Sequence, residues 1–146
     1  MKELGEIRLA FSRLMTLHEE ISEQFMWDPS ASAPVQERLF KAEEAFSKVG
    51  QRLKRCDTLV EKRGFSGIED GFLLFRETDV LCHAAQEMLE DAARTDERLD
   101  KICRAQWERI GLLRKELAEL DVFLVKVKTD YERYLDLRRA LEETDG

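Results

Sequence analysis

The chain has 146 residues and a formal net charge of −7, with 38% of its residues charged and 43% hydrophobic. Seven glycines and two prolines are few turn-forming residues for this length, and beside abundant Ala, Glu, Lys, Leu and Arg they are typical of long helices. The hydrophobic content excludes wholesale disorder. Basic residues are interleaved with acidic ones, which disfavours nucleic acid as a partner, because nucleic-acid-binding proteins usually present a basic patch or stripe.

The three cysteines, Cys56, Cys82 and Cys103, show no short spacing. A secreted disulfide framework needs an even and denser set. The N-terminal segment scatters charges among its apolar residues and has no signal-peptide core. No stretch approaches the ~20 apolar residues that span a bilayer. We therefore predict a cytoplasmic protein with reduced thiols and no membrane span.

The first two helices are predicted over residues 2–26 and 35–63. Between them lies a segment with two prolines, Pro29 and Pro34, and after them a segment, 64–71, with three glycines. Gly64 is the expected C-cap of the second helix. Both helices carry apolar residues at alternating spacings of three and four, the pattern of coiled-coil packing. Joined by a short loop, they form an antiparallel hairpin.

The third predicted helix covers residues 72–141. Its apolar seam takes two successive steps of four through Thr95, Leu99 and Cys103, a stutter that unwinds a supercoil locally. The polar run 94–98 is a place where the helix bends or breaks, with Thr95 as the cap of a new helix, and Gly111 is a second such place. We favour a continuous helix, since no loop-forming residues interrupt residues 94–98.

These elements predict an all-α fold over residues 1–146 as a single domain: an antiparallel helical hairpin packed on a long C-terminal helix, a three- to four-helix bundle or coiled coil. A continuous third helix would exceed ~100 Å, whereas the first two would be roughly 36–45 Å long. The hairpin therefore covers only part of the third seam. The rest must fold back on itself, dimerise or accept a helix of another protein, because long exposed apolar surfaces are rare on monomers.

Candidate catalytic and metal-binding residues fail on spacing. His18 occupies a seam position, which favours a packing role. His83 follows Cys82 directly, and neighbours on a helix point about 100° apart, so they do not chelate one metal ion. The paired carboxylates, such as Glu19 and Glu20, lie off the seams, where no cleft separates their pKa values. We predict no enzymatic activity, no metal and no cofactor.

One stretch of the third helix supports a family resemblance. Residues 95–134, TDERLDKICRAQWERIGLLRKELAELDVFLVKVKTDYERY, combine an acidic start, a heptad run of Leu and Ile, basic residues toward the end and a Tyr near the close. With the order helix, loop, helix, loop, long helix, this pattern resembles the flagellar export chaperones of the FliT and FlgN type. The resemblance implies a protein that binds an amphipathic terminal helix of a flagellar subunit, prevents its premature polymerisation and presents it to the export machinery.

The expected partner is an amphipathic helix of a flagellar protein or export component, bound in a groove of the third helix. The predicted groove residues are Trp107, Ile110, Leu113, Leu117, Leu120, Leu124 and Tyr131. A terminal segment over residues 134–141 would fold over this groove and compete with the client. The alternatives are a self-associating structural coiled coil, such as a homodimer, and a helical regulator of another protein.

Overall fold

The computed structural model describes residues 2–25 and 28–145, except for the side chain of residue 145. Its elements are α1 (Lys2–Ser22), α2 (Ala33–Arg63), α3 (Phe65–Thr95), a 3₁₀ turn (Glu97–Leu99) and α4 (Asp100–Asp145). No strand occurs among these described residues. The prediction of an all-α helical bundle is therefore confirmed, and the bundle has four helices.

The four helices run alternately in opposite directions, and each packs on the next one around a ring that α4 closes against α1. Between α2 and α3, Arg52 Nε lies 2.8 Å from Glu77 Oε2. Between α3 and α4, Arg76 Nε lies 3.1 Å from Asp121 Oδ1. Farther along α3, Asp79 pairs with the earlier α4 residue Arg114, so residue numbers rise on one helix as they fall on the other, as antiparallel packing requires.

The connection between α2 and α3 is one residue long, and here the predicted loop over residues 64–71 is wrong. Gly64 ends α2 with a φ of 59° and its N–H donates to the Val60 carbonyl, so the expected glycine cap is present. The chain then re-enters a helix at Phe65. Gly67 lies inside α3 where the two helices cross, and a Cβ built there would sit 2.1 Å from the Leu59 carbonyl oxygen. That glycine serves close helix packing and not a loop.

The third predicted helix is two helices, because the chain breaks after Thr95 and reverses direction. The preference for continuity is therefore wrong at the polar run 94–98, and the alternative of a break near residue 95 describes the structure. Asp96, in extended conformation, accepts a hydrogen bond from Arg98 N through its side chain. Thr95, the expected cap, instead donates its hydroxyl to the Asp91 carbonyl oxygen at 2.9 Å. Gly111 lies within α4 and interrupts nothing.

The end of α1 also differs from the prediction. The helix stops at Ser22, while residues 23–25 lie outside it, and residue 26, the predicted end, falls outside the described residues. The Ile21 carbonyl oxygen, one of the last of the helix, accepts a hydrogen bond from the buried Gln106 Nε2 on α4 at 3.0 Å. The same oxygen also accepts a hydrogen bond from Gln24 N at 3.0 Å, so the side chain of Gln106 adds a second hydrogen bond at the end of α1.

The core combines the predicted seams of α1, α2 and α4 with a face of α3 that includes Phe75, Cys82 and Leu89. Phe11 on α1 and Phe75 on α3 meet edge to face at the centre, with 5.9 Å between ring centroids. Each fully buried side chain of this size stabilises the fold by about 1.5–3 kcal/mol relative to exposure. Among the described helices, none is at once long and apolar enough to serve as a membrane span.

Candidate partner-binding surface

Five of the seven predicted groove residues lie inside the bundle and do not form an open surface. These buried residues are Ile110, Leu113, Leu117, Leu120 and Leu124. Because the third predicted helix folds back as α3 and α4, helices of the same chain cover this part of the seam. Of the three outcomes expected for it, folding back on itself is the one found over these residues.

The other two predicted residues lie at opposite ends of the bundle. Trp107, near the start of α4, is 37% exposed beside α3, and its carbonyl oxygen accepts a hydrogen bond from Gln86 Nε2. Tyr131 is half-buried and stacks on Phe65, with 5.6 Å between ring centroids. Twenty-four residues of helix, about 36 Å at 1.5 Å per residue, separate the two. The two residues therefore do not belong to one binding site.

A shallow groove between α1 and α4 reaches the predicted residue Leu120 from solvent. Its floor is apolar, with Leu17 and Phe123 beside Leu120. Its walls are charged, and they include Glu20 on α1 and Glu116 on α4. The two helices meet beneath it, so Leu120 is buried while Leu17 and Phe123 are half-buried.

Exposed apolar side chains also lie at the end of α4. We call residues 132–145 the C-terminal extension; at 1.5 Å per residue it is about 20 Å long. Three large apolar side chains in it are exposed: Tyr134 by 56%, Leu137 by 61% and Leu141 by 66%. Every other described side chain of the extension is exposed as well, except that of Leu135, which is half-buried.

The extension begins where the other helices end or start. At this end of the bundle α1 begins at Lys2, α2 ends at Arg63 and α3 begins at Phe65. Because Phe65 stacks on Tyr131, Tyr131 marks the same height on α4. The expected folding of residues 134–141 over the groove does not occur, because α4 continues to residue 145 as a helix. Ion pairs between residues four apart, such as Arg138 with Glu142 at 3.3 Å, support that helix.

A cleft lies at the same level, at the base of the bundle. We call it the base cleft; its volume is about 440 Å³ and it is lined by Glu3, Phe65, Val127, Asp130, Tyr131 and Tyr134. Glu3 comes from α1, Phe65 from α3 and the remaining four from α4. A hydrogen bond with its own backbone is the first cause that lowers the pKa of Glu3, so this carboxyl group is ionised at neutral pH.

The sequence does not predict this cleft, although the spacing of the cleft residues on α4 indicates part of it. The sequence predicts a loop at Phe65 and places Tyr134 in a segment that is expected to fold over the groove. The spacing of Val127, Tyr131 and Tyr134 by four and three residues shows that the seam continues. What it does not show is where the neighbouring helices stop.

Of the candidate catalytic groups, His18, Cys56 and Cys82 are engaged in packing. His18 stacks on Phe46 with 4.4 Å between ring centroids, its Nε2 lies 2.6 Å from the Phe46 carbonyl oxygen, and burial lowers its pKa. Burial raises the pKa of Cys56 and of Cys82 to about 12. His83 is exposed and pairs with Glu87 at 3.0 Å. Within the described part of the chain, no three His, Cys, Asp or Glu residues are placed to hold a metal ion.

Comparisons of the chain with protein-family models, with curated proteins and with solved structures find no match.

Proposed function

We propose that this protein is a cytoplasmic chaperone that binds an amphipathic helix of another protein along its C-terminal extension. The carrying observation is that Tyr134, Leu137 and Leu141 are exposed on a helix that no other described element covers. A partner helix laid along the extension removes these side chains from water, as in helix-in-groove recognition. The role is one of binding, without a catalytic step.

The size of the extension agrees with this role. Its length of about 20 Å accommodates a partner helix of about 14 residues at 1.5 Å per residue. Burial of three large apolar side chains contributes about 1.5–3 kcal/mol each. Ordering and association oppose this gain, and reversible binding is what a chaperone that releases its client requires.

The proposed client class comes from the resemblance to the FliT and FlgN type of flagellar export chaperone. On that basis the client is an amphipathic terminal helix of a flagellar subunit, held until it reaches the export machinery. The binding residues differ from the groove expected from the sequence, since Ile110, Leu113 and Leu117 are buried. Tyr131 remains part of the proposed site, at the junction of the extension and the base cleft.

The charge of the extension favours a client with basic residues. From Asp130 to the end of α4 the sequence has six acidic and three basic residues. The basic residues Arg138 and Arg139 already face acidic neighbours of the same helix. Complementary charges at the rim raise the rate and specificity of association more than the affinity.

The test compares two double variants of the full chain. Tyr134→Ser/Leu141→Asp places polar groups in the extension, and Leu73→Asp/Val80→Asp does so at comparably exposed residues on the outer side of α3. Calorimetry would measure binding to synthetic terminal helices of filament-cap and hook-associated subunits. We expect the first variant to weaken binding about tenfold or more, because central apolar contacts dominate such interfaces, and the second to bind as the native chain does.

Equal weakening by both variants, or no binding of any such helix, would contradict the proposal. Sedimentation at two protein concentrations addresses the alternative of a structural coiled coil. In that case the native chain forms a dimer that the Tyr134→Ser/Leu141→Asp variant does not form, and the flagellar helices do not compete with it.

A further inference from the structure

The base cleft is partly walled by aromatic rings whose outer surfaces are open. Phe65 and Tyr131 are half-buried and stack with an interplanar angle of 23°. Tyr134 follows Tyr131 by three residues on α4, and residues three apart are neighbours on a helix surface. The negative faces of such rings attract a cation through the ring quadrupole.

A carboxylate faces the same cleft. Asp130 lines it and, among the described residues, has neither a hydrogen bond nor an ion pair. Glu3, whose pKa is lowered, adds a second negative charge to the lining. No lysine or arginine lines the cleft, and because Glu3 already has a partner, Asp130 is the carboxylate of the lining that remains available to a cation.

Phe72 of α3 is an aromatic ring that already has cations of the same chain beside it. Arg76 lies over the Phe72 ring at 4.5 Å from its centroid, and Lys128 Nζ lies 5.6 Å from the same centroid. Both are cations of the chain itself. Within the described residues, no cation lies over Phe65, Tyr131 or Tyr134, which leaves those rings available to a cation from outside.

We propose that the base cleft binds the side chain of one lysine or arginine presented by a partner's helix, with its charged group between Asp130 and the ring faces of Tyr131 and Tyr134. The inference rests on the proposed function for the helix that presents this residue. Beyond that function, it states that a basic residue of the partner's helix fixes the position of that helix on the extension. The apolar contacts of Leu137 and Leu141 then follow along the same client helix.

The test uses defined small probes, so that it does not depend on the identity of the client. Nα-acetyl-arginine amide and its neutral isostere Nα-acetyl-citrulline amide are titrated into the isotope-labelled full chain at physiological ionic strength, and amide chemical shifts are followed. We expect shifts at Phe65, Asp130, Tyr131 and Tyr134 with the arginine probe and much smaller shifts with the citrulline probe.

Substitutions then assign the contributions. Asp130→Asn is expected to raise the dissociation constant of the arginine probe about two- to fivefold, the size expected of one exposed charge pair. Tyr134→Leu is expected to have an effect of about the same size through the lost cation–π contact. The control is Asp136→Asn, at an exposed carboxylate of the extension that lies outside the cleft, and it should leave binding unchanged.

The inference is overturned if both probes shift the same residues equally, if the shifts spread over acidic residues outside the cleft, or if Asp136→Asn weakens binding as much as Asp130→Asn. None of these outcomes bears on helix binding by the extension, which the calorimetry with Tyr134→Ser/Leu141→Asp tests separately. Loss of flagellar-helix binding with intact arginine binding would leave the cleft inference standing and contradict the client class.

Discussion

At residue 67, on the face of α3 that crosses α2, the backbone of the neighbouring helix leaves room only for a hydrogen atom. A Cβ there would lie 2.1 Å from the Leu59 carbonyl oxygen and 2.9 Å from Val60 N, so the Gly67→Ala change must push two helix backbones apart. We expect it to lower the free energy of unfolding by about 1–3 kcal/mol or more, the cost of overpacking a closely packed contact. Urea denaturation measures this.

Gly5→Ala is the matched control for that change. Gly5 is also inside a helix, but a Cβ built there has nothing within 4 Å. This substitution should raise the free energy of unfolding by up to about 1 kcal/mol, because alanine is the better helix former. A stabilising effect at both positions would mean that α2 and α3 do not pack as closely as described.

Gly67 also shows what the sequence does not reveal at the scale of a single residue. Three glycines in residues 64–71 are a loop signal by composition, and only Gly64, with its φ of 59°, acts as one. Gly67 and Gly71 are selected by the distance to α2, which is a property of the packed structure. Local propensity has no means of separating the two uses of glycine.

At the scale of the element, the reversal between α3 and α4 depends on one aspartate. Asp96 Oδ1 accepts a hydrogen bond from Arg98 N at 3.1 Å, which satisfies one of the donors that a helix start leaves unpaired. Asp96→Ala should therefore lower the free energy of unfolding by about 1 kcal/mol, within the 0.5–2 kcal/mol range for such caps. The urea midpoint, at unchanged m-value, is the measurement.

Asp96→Asn separates the cap from the charge. Asparagine provides the same acceptor oxygen and caps about as well as aspartate, but it gives up the ion pair with Arg98, whose Nη2 lies 2.8 Å from Asp96 Oδ2. Because exposed pairs contribute about 0–1 kcal/mol, we expect the Asn variant to keep most of the stability. If Asn and Ala destabilise equally, the hydrogen bond to Arg98 N does not hold the turn.

Periodicity predicted the helices better than it predicted their ends. The seams of α1, α2 and α4 are buried as spaced, including Leu14, Leu53 and Leu113. The polar run 94–98 indicates a place for a break, but the absence of Gly and Pro from it favours a continuous helix. A short 3₁₀ turn capped by Asp96 reverses the chain without Gly or Pro. The packing of α3 against α4 offsets the free-energy cost of interrupting the helix.

At the scale of the whole molecule, the candidate site follows from a mismatch of lengths. Ile110 and Tyr134 lie on the same continuing seam, and the sequence gives both the same apolar pattern. One is fully buried and the other is 56% exposed. The difference arises because α1, α2 and α3 all end or begin at the level of Tyr131, and that level depends on how the four helices stack. The sequence therefore predicted a partner-binding stripe on this helix and placed it where the chain covers itself.

Two truncations test whether the extension is outside the folding core. Among the described side chains, a chain that ends at Arg133 loses only ones that are exposed or, for Leu135, half-buried. Its free energy of unfolding should therefore stay within about 1 kcal/mol of the full chain, as for other surface changes. A chain that ends at Phe123 also loses the buried Leu124 and Val127 and the stacked Tyr131. At about 1.5–3 kcal/mol for each buried side chain, it should lose at least about 3 kcal/mol. If the chain ending at Arg133 were as unstable as the shorter one, the extension would belong to the core, and its exposed side chains would no longer argue for a partner.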